Sequence, residues 1–130
     1  MNFWKALLLA AGLWMVGHCF AADVDLSRMN STMLFARLYE ISETAIEYKG
    51  KTFRVKGYYQ LAKDEIDGKT YHVLLLSDAA ACCSFSFEIE WLAGEKIPKK
   101  GSRITVEGTF NPIFEENVII PQLKKARIVP

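Results

Sequence analysis

Side chains that perform chemistry are scarce in this sequence. Its 130 residues include three cysteines and two histidines, and Cys19 and His18 fall within an N-terminal segment that is typical of an export signal. The rest of the chain keeps Cys82, Cys83 and His72. A closed metal cage, a nucleophile with a paired base and a CxxC redox motif all need more of these residues. The sequence therefore favours a non-enzymatic protein.

Charge of one sign is not in excess either. The chain has 16 lysines and arginines against 15 aspartates and glutamates, a formal net charge of +1 at pH 7. Loss of Lys5 with the N-terminal segment, which contains no acidic residue, leaves 15 of each. Nucleic-acid binders neutralise phosphates with a basic surface. The charge balance therefore predicts no nucleic-acid partner.

An apolar run long enough to cross a bilayer is also lacking. The stretch Phe3–Gly17 is apolar except at its edges and at Lys5, and it spans 15 residues, whereas a transmembrane helix needs about 20. This pattern predicts a signal peptide over residues 1–22, cleaved after Ala21 or Ala22. The mature protein would be exported, periplasmic or extracellular, with no membrane span. Retention of the segment as an anchor is the alternative.

Residues 23–130 suffice for a single domain with a modest core. Near its start, apolar residues recur at spacings of four, three and four, at Leu34, Leu38, Ile41 and Ala45. This stripe predicts an amphipathic helix over about 32–44, with Ser31 as its N-cap.

Five later segments are alternating or continuously apolar, as expected of strands. They are Lys51–Tyr59, Thr70–Leu76, Ser84–Trp91, Arg103–Phe110 and Asn117–Val129. Gly57 falls on the apolar side of its strand and predicts a bulge or tight bend. Pro121 predicts a kink or a sheet edge, because proline cannot donate to an interior ladder. These features indicate a mainly β fold, a five-stranded OB-like Greek-key barrel over about 51–129. A small α+β sandwich is the alternative.

Several short segments occur here in a distinctive combination. They are Ser31-Thr32-Met33, Tyr48-Lys49-Gly50-Lys51, Val55-Lys56-Gly57, a turn from Ser77-Asp78-Ala79 to Cys82-Cys83, and a late strand from Gly101 to Gly108. In these the chain resembles a family of small exported bacterial proteins of unassigned function, from about Asp25 to Gly108. The resemblance implies an OB-like domain with an Asp-x-x-x-Cys-Cys turn, and no activity. Family members have a glycine after the cysteines, and Ser86-Phe87-Glu88-Ile89-Glu90 lacks it.

The adjacent thiols of Cys82 and Cys83 are the most distinctive chemical feature. Neighbouring Cα atoms lie about 3.8 Å apart, below the roughly 4.4 Å of ordinary disulfides, so a bond between them would be strained and would not serve as a staple. Three interpretations stay open. Cys83 is a buried hydrophobe and Cys82 a surface thiol; the pair binds copper(I) or zinc, completed by His72 or Glu88; or the pair cycles between dithiol and disulfide.

These interpretations predict an exported binding module that presents the turn from Asp78 to Cys83 to a metal ion or a partner protein. Asp78 would cap the turn with its carboxylate. The alternative function is a thiol-redox protein in which Cys82 attacks and Cys83 resolves. A lone strand histidine such as His72 is most often a structural residue.

Two further groups of polar residues have simpler expected roles. We expect Glu88 and Glu90 to form cross-strand ion pairs with basic residues of neighbouring strands. Tyr58, Tyr59 and Tyr71 could form an aromatic platform of the kind that OB barrels use for single strands or sugars. Aromatic residues in a domain of this size are more often core.

Overall fold

The structure is a computed structural model that describes residues 21–77 and 84–130. This part of the chain is mainly β, as predicted, with one α-helix near its start. The elements are β1 (Val24–Asp25), α1 (Ser31–Glu43), a 3-10 helix (Ala45–Tyr48), β2 (Thr52–Lys63), β3 (Thr70–Ser77), β4 (Ser84–Trp91), β5 (Arg103–Glu115) and β6 (Val118–Val129). Neither helix in this part of the chain is both long enough and apolar enough to cross a membrane. The predicted signal peptide lies, except for its last two residues, outside the described residues.

Helix α1 begins one residue earlier than predicted because Asn30, not Ser31, is its N-cap. The backbone N–H of Met33 donates to Asn30 Oδ1 over 2.9 Å, which satisfies a helix N–H that has no intrahelical partner. Leu38 and Ile41 are the buried residues of the helix. The predicted apolar stripe therefore faces the sheet.

The six strands form one sheet in the order β1-β2-β3-β4-β6-β5, and β5 also pairs with β2. Within the set β2 to β6 each strand therefore pairs with two others, and β1 is a third partner of β2. The β1–β2 and β4–β6 pairs are parallel and the others antiparallel. Because the pairing returns to β2, the sheet must be strongly curved.

Gly57 lies where β2 changes partners. Thr52–Tyr58 pair with β5, and Tyr58–Lys63 pair with β3. A Cβ atom at Gly57 would lie 2.7 Å from the backbone oxygen of Leu75, closer than carbon and oxygen atoms approach without repulsion. Glycine is therefore required at a position where the sequence predicts a bend.

Three phenylalanines form the centre of the core. Phe53 and Phe110 stack with their ring centroids 4.5 Å apart, and Phe87 meets both rings edge-on. All three are at most 2 % exposed. Leu38 and Ile41 of α1 lie beside Phe87 and Phe110, so the helix covers one end of the core.

The β5–β6 hairpin projects beyond the rest of the sheet. Pro112 lies opposite Pro121, and the pairing of β6 with β4 begins only at Gln122. Two prolines cannot exchange ladder hydrogen bonds, so both ring nitrogens face the outer edges of the hairpin. The prediction that Pro121 lies at a sheet edge is confirmed.

Candidate ligand-binding cleft

A cleft of about 610 Å³ lies between two hairpins of the sheet. One wall is the hairpin that joins β2 and β3, the other is the β5–β6 hairpin, and part of β4 forms the floor. The floor residues are Ser86 and Glu88, with Val73 of β3 beside them. These side chains lie on the face of the sheet opposite to the core, because Phe87 and Leu74 alternate with them and are buried.

The β2–β3 wall is held by side-chain hydrogen bonds. The N–H of Ile66 donates to Asp64 Oδ1 over 2.8 Å, and the N–H of Lys69 donates to Asp67 Oδ1 over 2.8 Å. The hydroxyl of Tyr71 donates to Asp67 Oδ2, also over 2.8 Å. The bonds from Lys69 and Tyr71 lower the pKa of Asp67, and the bond to Asp67 raises the pKa of Tyr71. Asp67 is therefore charged and Tyr71 neutral at physiological pH.

On the floor, a chain of amides orients Glu88. Asn111 Nδ2 donates to Gln122 Oε1 over 3.0 Å, and Gln122 Nε2 donates to Glu88 Oε1 over 3.1 Å. Gln122 is only 8 % exposed, so its amide is held inside the sheet and its two bonds satisfy a buried polar group. The carboxylate of Glu88 is thereby fixed at the bottom of the cleft.

The cleft is strongly negative although the chain is not. Among the described residues, four carboxylates line it, from Asp64, Asp67, Glu88 and Glu115, against one ammonium group, that of Lys63. The lining has a formal charge of −3 by that count, and the whole chain has +1. The negative charge is therefore concentrated in the cleft.

Apart from Glu115, the β5–β6 wall is apolar. Ile113, Ile119, Ile120 and Pro121 line the cleft from this side. At the tip of the same hairpin, Val118 shares the face of Ile120 and is 61 % exposed. Large apolar side chains grouped at a surface in this way are typical of binding sites.

A second polar cluster lies on the inner face of β3. The hydroxyl of Tyr59 and Nδ1 of His72 share a hydrogen bond of 2.6 Å, their rings stack, and the ring of Trp91 lies about 6 Å from both. Burial raises the pKa of Tyr59. Trp91 Nε1 is buried and has no hydrogen-bond partner within the described residues. His72 therefore faces away from the cleft, into an aromatic cluster.

The other site residues predicted from the sequence are Asp78, Cys82 and Cys83, which lie outside the described residues. Within residues 21–77 and 84–130, no three His, Cys, Asp or Glu side chains are grouped so that they could hold a metal ion. The predicted copper or zinc site at the cysteine pair, with His72 as a ligand, stays a prediction.

The prediction of cross-strand ion pairs for Glu88 and Glu90 is wrong: neither residue forms a salt bridge among the described residues. Because β4 lies between β3 and β6, Glu88 faces Val73 on one side and Gln122 on the other. The basic residue Arg54 instead pairs with Glu107 across the β2–β5 ladder, Nη2 to Oε2, over 3.1 Å.

The three tyrosines do not form one platform. Tyr71 lines the cleft, Tyr59 is buried beside His72, and Tyr58 lies 43 % exposed under the guanidinium group of Arg103.

Sequence reasoning missed the cleft because carboxylates and isoleucines are common residues. One signal was present: Gln122 interrupts the apolar run Val118–Leu123, and a buried amide needs polar partners. Its partners Asn111 and Glu88 cannot be identified until the strands are placed.

No family model matches the chain, and no curated protein or solved structure matches it. The resemblance to small exported bacterial proteins therefore stays a prediction.

Proposed function

We propose that this protein is an exported binding module built on a five-stranded barrel of the OB type, with its ligand in the cleft between the two hairpins. The pairing of strands supports the barrel: among β2 to β6 each strand pairs with two others of this set, because the ends of the series, β2 and β5, pair with each other. In an OB barrel, ligands bind on the face of the second and third strands, between the loops that join strands one and two and strands four and five.

The position of the cleft is the observation that carries the proposal. Among the five strands, β3 and β4 are second and third, and they supply Val73, Ser86 and Glu88. The two hairpins that bound the cleft are the first-to-second and fourth-to-fifth connections. A volume of about 610 Å³ also falls within the range of ligand pockets, about 300–1,000 Å³.

The chemistry of the cleft suits binding better than catalysis. Its titratable groups are carboxylates, one lysine and one tyrosine. A general acid or base works best when its pKa lies near the working pH, whereas the pKa of Asp67 is lowered and that of Tyr71 is raised. Both groups keep one charge state near neutral pH, as fixed electrostatic contacts do.

The test uses a side chain that fills the cleft. Ser86 is exposed on the floor, so Ser86→Trp would block the cleft without disturbing the core. Ser84→Trp is the matched control, because Ser84 is exposed on the same face of β4 but does not line the cleft. The probes are cationic, neutral and anionic peptides and a neutral oligosaccharide, and binding is followed through backbone amide NMR signals.

We expect at least one probe to shift the signals of Ser86, Glu88 and Ile113, and we expect Ser86→Trp, but not Ser84→Trp, to abolish those shifts. If no probe shifts these signals, or if Ser86→Trp leaves binding intact, the cleft is not the binding site. Export is tested separately by mass spectrometry of the secreted or periplasmic protein, whose first residue should be Ala22 or Asp23. An intact N-terminus would contradict cleavage.

A second proposal rests on the sequence alone: Cys82 and Cys83 bind a soft metal ion or a partner protein, or act as a thiol-redox pair. Labelling with a thiol reagent separates these roles. Two free thiols protected only by copper or zinc support metal binding, and two thiols that appear only after mild reduction support redox function. Two thiols of different reactivity, indifferent to both treatments, contradict both.

A further inference from the structure

We infer that the ligand of the cleft is a basic segment of a partner protein, in which lysine or arginine side chains are interspersed with apolar ones. This inference rests on the proposed function, since it names the ligand class of the same cleft. It is carried by the way acidic and apolar groups are divided among the walls and floor.

Charge selects the sign of the ligand. Acidic groups approach the cleft from one wall through Asp64 and Asp67, from the other through Glu115, and from the floor through Glu88. Within the described part of the chain, Lys63 supplies the only basic group of the lining. A cation placed between them gains from several carboxylates at once, whereas an anionic ligand is repelled. Phosphate-bearing ligands and acidic peptides are therefore disfavoured.

On the floor of the cleft, the Glu88 carboxylate is held in an orientation that suits a cation. A carboxylate has about four acceptor sites, and Gln122 uses one site of Glu88, on Oε1. The buried amide of Gln122, itself held by the amide of Asn111, fixes the direction of the carboxylate. A lysine ammonium or arginine guanidinium group that enters the cleft would therefore meet an acceptor that loses little side-chain entropy on binding.

The apolar wall separates a peptide from a simple cation. Ile113, Ile119 and Ile120 border the cleft, and the exposed Val118, on the same face of the hairpin as Ile120, extends this apolar surface to the hairpin tip. A metal ion or a polyamine offers no branched apolar groups to cover these side chains. A peptide with both basic and apolar side chains covers both kinds of surface.

The hairpin edge indicates how such a peptide would be held. Pro121 lies on the edge of β6 nearest to the cleft, before β6 joins β4, and it offers no N–H to an added strand. Main-chain pairing along this edge is therefore interrupted, and side-chain contacts must provide most of the affinity. Binding dominated by charged side chains weakens as salt screens them.

The experiment compares three short capped peptides of the same length: a Lys-Val-Ser repeat, a Gln-Val-Ser repeat and a Glu-Val-Ser repeat. Affinities are measured by titration of backbone amide NMR signals. The variant is Glu88→Gln, which keeps the shape of the side chain and can still bond to Gln122. The control is Glu90→Gln, which removes the same charge from an exposed site on the same face of β4, outside the cleft.

We expect the lysine peptide to bind most tightly and the glutamate peptide not to bind. Glu88→Gln should weaken the lysine peptide about tenfold, the lower range for a hydrogen bond to a charged group, and Glu90→Gln should change affinity less than about twofold because exposed charges are screened. Raising salt from about 0.1 M to about 1 M, which shortens the Debye length from about 10 Å to about 3 Å, should weaken binding strongly.

Different results would contradict the ligand class and the proposed binding function of the cleft. If the glutamine peptide, the glutamate peptide or an oligosaccharide shifts the cleft signals and the lysine peptide does not, the cleft binds ligands and the basic-segment inference is wrong. Equal losses for Glu88→Gln and Glu90→Gln would also overturn it. If no probe shifts the cleft signals, the proposed function itself fails.

Discussion

Replacing Gly57 by alanine tests the curvature of the sheet on which the cleft depends. The added Cβ would lie 2.7 Å from the backbone oxygen of Leu75 and 3.1 Å from Leu74 Cγ. Leu75 cannot retreat freely, because it is paired with Tyr58 of β2 on one side and Ser86 of β4 on the other. The clash must be relieved by a backbone shift.

The size of the effect follows from two opposing terms. Overpacking of a core costs about 1–3 kcal/mol, and the loss of glycine's freedom in the unfolded chain returns about 0.4–1 kcal/mol. We expect Gly57→Ala to lower the free energy of unfolding by about 1–2 kcal/mol. For a domain of about 100 residues this lowers Tm by roughly 4–16 °C.

The assay is thermal and urea unfolding of Gly57→Ala beside Lys56→Ala. Lys56 is the neighbouring residue of β2 and is exposed, so its replacement should stay within about 0.5 kcal/mol of the parent protein. The slope of the urea transition should not change, because the folded state stays compact. A Gly57→Ala protein as stable as the Lys56→Ala protein would refute the close approach of β2 to β3.

Two further predictions concern the partly buried ion pair of Arg54 with Glu107 and the exposed hydrogen bond of Tyr71 with Asp67. Arg54→Leu should lower the free energy of unfolding by about 2 kcal/mol, because it leaves the buried carboxylate of Glu107 without this ion-pair partner. The side chain of Glu107 is 7 % exposed. Arg127→Leu, 3.8 Å from Glu107 and itself 58 % exposed, should cost under about 1 kcal/mol; equal losses in urea unfolding would contradict this. The bond to Asp67 raises the pKa of Tyr71, so its stabilising effect is complete below pH about 10 and is lost as pH rises through the pKa of Tyr71 in the folded protein. Asp67→Ala should therefore lower the pH at which the Tyr71 phenolate absorbance appears, and an unchanged titration would rule out this bond.

Local pattern was enough to predict the secondary structure where side chains alternate without interruption. Strand β4 has the predicted bounds, Ser84–Trp91, because Phe85, Phe87, Ile89 and Trp91 share one face. Pattern was misleading where a local breaker occurs inside a paired segment. Strand β5 was predicted to end at Phe110, but it continues through Asn111-Pro112 to Glu115. It continues because β6 pairs with it there, with Pro112 opposite Pro121.

The candidate sites also differ in whether the sequence alone could identify them. A sequence identifies Cys82 and Cys83 as a candidate site because thiols are rare and adjacent thiols rarer. It cannot identify Glu88 among 15 acidic residues, because nothing in the local pattern distinguishes a carboxylate in a cleft from one at an open surface. Burial and partners make that distinction, and both depend on the neighbouring strands.

The sequence by itself determined the mainly β chain, the helix and the inner and outer faces of the alternating strands such as β4, since these depend on residues a few positions apart. Only the tertiary structure decided which strands became neighbours. Glu88 and Gln122 are 34 residues apart and meet because β4 and β6 pair in parallel. Alternation along a strand predicts which face of the sheet a side chain occupies, but not which side chains of the neighbouring strands lie beside it. The cleft is formed by those neighbouring side chains.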